Sequence, residues 1–564
     1  MKHLISDNKT VEDLVRLFAE GDIAIPEIQR EFVWDDDKVK ALIQSIDDGF
    51  PCGAIILWEP RNADKKLFRD LIKQEFLEKF PGHTPRYFLI DGQQRLTSLA
   101  SVLMKRDDFQ QMLSGFDPDD LPSKLYGNLK RFPWEIGAAG GGGSSKPHLV
   151  LLNDLFDLAQ PRGDVLATLN PNQREAVHKY VQRIRTYQFP VQTIQERNYE
   201  TIGEIFARVN SQGTTLEGAE INLAKIVPHW KGIAGQLKDF RNELRQRNYD
   251  LELTFLMRSI TAVECGVGKI EKLADKIRKK DKEGNKIVTK PHLDKTWNKV
   301  KKATNRIINI LESDLRLDKI KFVPSENVLV PLVYYVVNEK AATLNRKDIL
   351  RFFVYAQLSG YYSKSTETML NRSLKIFRYP GVTIREGLSE LVKNVKEEAR
   401  QEYRALKIKP KDIEGSPSKN ALVLLMYILM RQQEATDFGD SGDSKINIGE
   451  LTPKETQLHH IFPFNYMMTD KSAQKFKEEH GLGEFRSMVN DIANRTFLSQ
   501  SINVKISDQE PWDYLPIYTT KAVRRAHFIP EEKELWHASR YEDFLDARRS
   551  LLAQAMNKLL RSIG

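Results

Sequence analysis

The stretch Gln457-Leu458-His459-His460-Ile461-Phe462-Pro463, continued by Asn494-Arg495-Thr496-Phe497-Leu498-Ser499-Gln500-Ser501-Ile502-Asn503 and closed by Pro511-Trp512-Asp513-Tyr514-Leu515, decides how the chain is read. Residues 458–462 are short, apolar and strand-like. Residues 495–498 suit a second strand, and 501–506 begin a short helix. The expectation is a ββα unit with two adjacent histidines on its first strand and an asparagine on its helix. Such a unit offers a base and two metal-ligand candidates, because imidazole titrates near neutrality and binds divalent ions.

The rest of the chain bounds this reading. A length of 564 residues predicts several domains. The apolar fraction of 41% is enough for real cores. A net charge of +9 and a pI of about 9.1 suit a polyanionic partner without requiring one. Cys52 and Cys265 are far apart and form no CxxC pair, which excludes a zinc ribbon and argues against a disulfide framework. The first residues lack the apolar core of a signal peptide, and no run is long enough to span a membrane. A soluble, cytoplasmic protein is expected.

Residues 11–20 carry a helical apolar period. Pro26 makes 23–30 a strand or extended arm. Asp35 caps a helix over 37–47. Residues 54–58 and 87–90 read as strands, and the second runs into Asp91-Gly92-Gln93-Gln94-Arg95 before a helix over 96–104. A strand, a glycine turn and a helix start form a place to hold phosphate. Gly92 permits close approach, Arg95 offers a planar cationic fork, and Asp91 suits magnesium. Another helix ends at Asn210-Ser211-Gln212-Gly213. Strands are expected at 149–152 and 183–191. The glycine-rich run 137–145 is flexible in composition, either an insert or a lid.

From 224 to 433 the pattern is mostly helical, with helices expected at 251–263, 293–312, 328–338, 346–359 and 388–402. Lys269, Lys272, Lys276, Lys290 and Lys295, with the turn 279–286, give this part a basic surface, either solvated or phosphate-facing. Residues 434–445 read as a linker that lets the last domain be held away and released. An amphipathic helix over 541–560 closes the chain.

The first stretch resembles the HNH, or ββα-metal, nuclease motif. The resemblance implies that His460 activates water, that His459 and Asn503 hold a divalent metal, and that Asn494 braces the loop. The long segment between the histidine pair and Asn494 departs from the motif. The pentapeptide at 91–95, with Ile25-Pro26, Gln29-Arg30 and Trp34, resembles the ParB/sulfiredoxin-like domain of GmrSD-type restriction enzymes. That resemblance implies a nucleotide site at Gln29, Arg30, Asp91, Gly92, Gln93, Gln94, Arg95 and Asn210. Together the two imply a multidomain α+β protein: a ParB/sulfiredoxin-like sensor domain at 1–225, a helical domain and linker at 226–445, and an HNH nuclease domain at 446–564. They imply a modification-dependent (type IV) restriction enzyme that cleaves modified phage DNA. Magnesium is the expected ion, with manganese or nickel tolerated, and a nucleoside triphosphate is bound or hydrolysed. A homodimer is left open. A nonspecific DNA or RNA nuclease acting as a suicide effector, or a DNA-binding regulator without catalysis, are the alternatives.

Overall fold

In the computed structural model the chain forms two compact units, residues 1–236 and 237–564. The structure describes all residues except 1–2, 27–28, 30–31, 61–75, 77–78, 105–108, 110–124, 129–135, 139–148, 153–169, 196–200, 203–204, 207, 210–217, 280–281, 284–286, 364, 404–405, 416–420 and 440–445. From residue 139 onward the glycine-rich run lies outside this description, as do Arg30 and Asn210.

The first unit contains β1 (His3–Thr10), α1 (Val11–Ala19), β2 (Ile23–Ala24), α2 (Asp36–Asp47), β3 (Ile55–Trp58), β4 (Tyr87–Asp91) and α3 (Gln93–Leu103). It continues with β5 (Leu125–Asn128), β6 (Ile136–Ala138), β7 (Leu149–Leu151), α4 (Pro171–Thr186), β8 (Gln188–Gln195) and α5 (Gly218–Ile226). Five strands form one sheet in the order β1-β8-β3-β4-β2, and β6-β5-β7 form a small antiparallel one. Helices α1 to α4 bury Leu14, Val15, Val39, Ile43, Leu99 and Ile184 against Leu57, Leu89 and Phe189 of the sheet.

Two expectations change here. The strand expected at 183–191 begins only at Gln188, because Val177, Tyr180, Val181 and Ile184 keep a helical step through α4 and its Asn170–Gln173 capping box starts it firmly. Strand β1 was not anticipated. It pairs along its whole length with β8 yet leaves Leu4 and Ile5 exposed, so it has no buried face to write an alternation into the sequence.

Helix α6 (Ile233–Gln246) crosses residue 236. The helices of the second unit are α7 (Leu253–Cys265), α8 (Glu271–Arg278), α9 (Lys290–Leu315), α10 (Leu329–Asn338), α11 (Arg346–Leu358), α12 (Thr366–Phe377), α13 (Ile384–Glu402) and α14 (Ala421–Gln432). All five expected helices are among them. Strand β9 (Thr456–His460) follows, then α15 (Phe464–Thr469), α16 (Gln474–Val489), β10 (Arg495–Ser499), α17 (Gln500–Ile506), α18 (Pro511–Tyr518), α19 (Lys521–Ala526) and α20 (Tyr541–Ile563). The chain is thus mixed α/β and mostly helical.

The segment expected to be a loose linker is packed where it is described. Ala435 and Phe438 are buried, Asp437 accepts the Ser499 N–H at 3.1 Å, and the Thr436 carbonyl meets His527 Nε2 at 2.7 Å. Phe322, Tyr427 and Phe497 pack in tilted and edge-to-face pairs with centroids 4.7–5.1 Å apart and join the helical part to β10. The apolar residues between the acidic and glycine positions are what tie 434–439 down, and the composition of the segment hid them.

Candidate active site

Strands β9 and β10 pair antiparallel, with His460 opposite Arg495 and His459 opposite Thr496. Helix α17 follows β10 directly, started by the Ser499 side chain accepting from the Ile502 N–H. The ββα unit is therefore formed, with strand and helix ends within a residue or two of those expected.

Adjacent residues on a strand point to opposite faces, so the two histidines have different surroundings. His459 is almost fully buried, and its Nδ1 faces the Oδ1 of Asn503 on α17. Its Nε2 is buried without a hydrogen-bond partner among the described residues. Burial holds this imidazole down to about 4, against the raising effect of the Asn503 bond. The ring is neutral at pH 7 and keeps a lone pair for a cation. In the tautomer with its proton on Nε2, the Nδ1 lone pair and the Asn503 amide oxygen face each other with no proton between them, an arrangement that suits a divalent ion.

His460 meets neither His459 nor Asn503. Its Nε2 lies 3.0 Å from Asn490 Oδ1, and Arg495 Nη1 lies 3.2 Å from its Nδ1. Arg495 Nη2 also donates to Asn490 Oδ1 at 2.7 Å, and Asn490 Nδ2 donates to the Arg486 carbonyl at 2.9 Å. These contacts fix the amide of Asn490, so the imidazole carries its proton on Nε2 and its lone pair on Nδ1, under the guanidinium. Burial first, then the Arg495 charge, holds His460 down to about 4.

Asn494 is fully buried and braces the loop. Its Oδ1 accepts from the Phe462 N–H at 2.8 Å, and its Nδ2 donates to the carbonyls of Phe462 and Val489. Tyr514 of the closing Pro-Trp-Asp-Tyr-Leu donates to the Ile461 carbonyl at 2.8 Å. Two partners of the site were not singled out from the sequence. Asn490 ends α16, inside the segment that departs from the motif, and carries no spacing signal. Arg495 follows Asn494 directly, and only the strand pairing sets it opposite His460.

In the first unit, Gly92 adopts φ +95° and opens α3 without a side-chain cap. A Cβ there would collide with the Ile55 side chain, so the turn needs glycine. The helix begins at Gln93, earlier than expected, and places Gln93, Gln94 and Arg95 in its first turn. Arg95 Nη2 bridges Asp91 Oδ2 at 2.9 Å and the Ala54 carbonyl at 2.7 Å. Gln29 Nε2 donates to the carbonyls of Leu89 and Ile90, and Gln94 Oε1 accepts the Val33 N–H. The motif thus ties Gln29 to β4 and Val33 to the first turn of α3, whose uncapped start presents backbone N–H groups that favour an anion.

Two comparisons with known proteins bear on these sites. Residues 11–227 match the family model for the N-terminal domain of GmrSD restriction endonuclease, a range that contains every residue of the expected nucleotide site. The chain is also similar to an uncharacterized protein of Methanocaldococcus jannaschii, 22% identical over 94% of this chain and 93% of that protein. The family match supports a GmrSD-type restriction enzyme, and it covers less than half of the chain. No helix among the described residues is long and apolar enough to cross a membrane.

Proposed function

We propose that the chain is a metal-dependent endonuclease that cuts foreign DNA in defence against phage. Its nuclease is the ββα unit within residues 446–564, and its N-terminal domain binds, and is expected to hydrolyse, a nucleoside triphosphate that governs cutting. One observation carries the reading: His459 and Asn503 converge on a ββα scaffold whose loop Asn494 braces. The restriction-endonuclease family matching the first unit supports DNA as the substrate.

His459 and Asn503 would hold the cation, which supplies charge to the phosphate oxygens and acidifies a bound water. The remaining steps belong to the chain's own residues. His460 is neutral and accepts a proton from water at Nδ1. Asn490 orients the ring by accepting from Nε2. Arg495 first guards Nδ1, then swings to a phosphate oxygen, which exposes the lone pair and gives the substrate a charged donor. In the first unit, the start of α3 takes the nucleotide phosphates, with Asp91 and Arg95 as polar partners and Gln29 shaping the arm.

The test is cleavage of phage DNA, plasmid DNA and RNA by the full chain with magnesium, manganese or nickel. His459→Ala and His460→Ala should each lose about two orders of magnitude or more while remaining folded. Near wild-type cutting by either variant refutes the site. RNA cutting with DNA left intact points instead to the suicide-effector alternative.

A further inference from the structure

We infer that a basic cleft in the helical part of the second unit grips the phosphate backbone of duplex DNA, an inference that rests on the DNA reading above. The cleft encloses about 1140 Å³ between the end of α7, α8 and the facing parts of α10 and α12. Six cations line it: Lys269, Lys272, Lys276, Arg278, Lys279 and Arg378. Among the described residues, two lining carboxylates oppose them. Glu264 is occupied by Lys276 at 2.8 Å, and Asp275 lies 3.4 Å from Arg278 and 3.7 Å from Lys272. Lys269, Lys279 and Arg378 make no ion pair with any described carboxylate. Arg378 spends one bond, 3.1 Å long, on the Gly266 carbonyl, which sets its guanidinium at the cleft wall.

The arrangement of these charges chooses among phosphate ligands. Leu273, Ala274 and Ile277 bury one face of α8, whereas Lys269, Lys272, Arg278 and Lys279 are exposed on the other side. The eight residues of α8 extend roughly 12 Å at helical rise, with Lys269 before and Lys279 after them, so the cations run along about four phosphates of one strand at its axial spacing. A free nucleotide offers one compact cluster of charge and needs donors that converge on a point. A row of separate cations suits a polymer backbone, and it carries no base-reading group, so it positions the duplex without specifying sequence.

The experiment measures binding of the full-length protein to a labelled DNA duplex between 50 and 200 mM salt. The triple variant Lys269→Gln/Lys272→Gln/Lys279→Gln alters only exposed side chains. Its log affinity should depend on log salt with a slope shallower by roughly 2.7, about 0.9 for each lost phosphate contact. Affinity at 100 mM salt should fall tenfold or more, and the matching Lys→Arg triple should retain it. Cutting at limiting DNA should fall in step with the affinity, since the cleft acts through binding. Tight duplex binding with an unaltered slope in the glutamine triple overturns the cleft and leaves the nuclease reading standing. Failure of the wild-type protein to bind duplex DNA, or binding of an RNA duplex in its place, overturns both.

Discussion

At the scale of single residues, His460 gains its character from Asn490 and Arg495. Removing the guanidinium in Arg495→Ala takes away the charge that, after burial, holds His460 down at about 4. His460 should then titrate closer to neutrality, seen in its imidazole proton shifts, and single-turnover cleavage should drop at least tenfold. Full activity with an unmoved titration removes Arg495 from the site. His459, His460 and His527 are all held near 4 chiefly by burial, below the ordinary 6.5 that the unfolded chain keeps. The unfolded state therefore binds protons first as pH falls. Stability of this part is full above about pH 6.5 and declines toward pH 4, by several kcal/mol in all, on the order of that linkage. Urea midpoints that stay flat from pH 7.5 to 4.5 contradict three neutral buried rings. His459, Asn494 and Asn503 were singled out because their spacing matches the HNH motif that the stretch resembles. Asn490 was not, because a loop-and-helix excursion of free length brings it back to the strand.

At the scale of elements, the final helix does more than cover a core. Arg548 is fully buried and donates to the carbonyls of Ala493, Arg495, His527 and Phe528 at 2.6–3.2 Å, pinning α20 to the start of β10. Arg548→Met keeps the volume and leaves those carbonyls unpaired, so it should cost about 3–5 kcal/mol by chemical denaturation. A loss below about 1 kcal/mol shows that the pin is redundant. The sequence made α20 readable through its apolar period, but that period cannot announce a cation turned inward. The turn from β4 into α3 is the corresponding element of the first unit. Asp91→Ala or Arg95→Ala should weaken nucleoside triphosphate binding at least tenfold by calorimetry. Wild-type protein that takes up no nucleotide reduces the motif to its bonds with Ala54, Gln29 and Val33.

At the scale of the whole molecule, a nuclease centre that touches only phosphate reads almost no sequence, so choice of target has to come from elsewhere in the chain. The full-length protein with nucleotide should cut modified phage DNA at least tenfold faster than unmodified DNA of the same sequence. A chain lacking residues 1–225 should lose the difference and keep at most weak nicking. Equal cutting of both DNAs across nucleotides and metals favours the suicide effector. The packing of residues 434–439 bears on how restraint works: control that depends on paying out that tether meets buried side chains, whereas the guanidinium over His460 is a smaller barrier already in place. Motifs marked the two ends of the chain and helical periodicity marked its middle, whereas the fold gathers the middle and the last part into one unit, 237–564. That joining was not legible, because aromatic contacts such as Phe322 on Phe497 lie far apart in sequence. The arginine pin has one more consequence, in the order of synthesis. Arg548 leaves the ribosome 53 residues after Arg495, the strand residue it holds. A nascent chain therefore carries both histidines, and all of residues 1–236, before it carries the arginine that holds the start of β10.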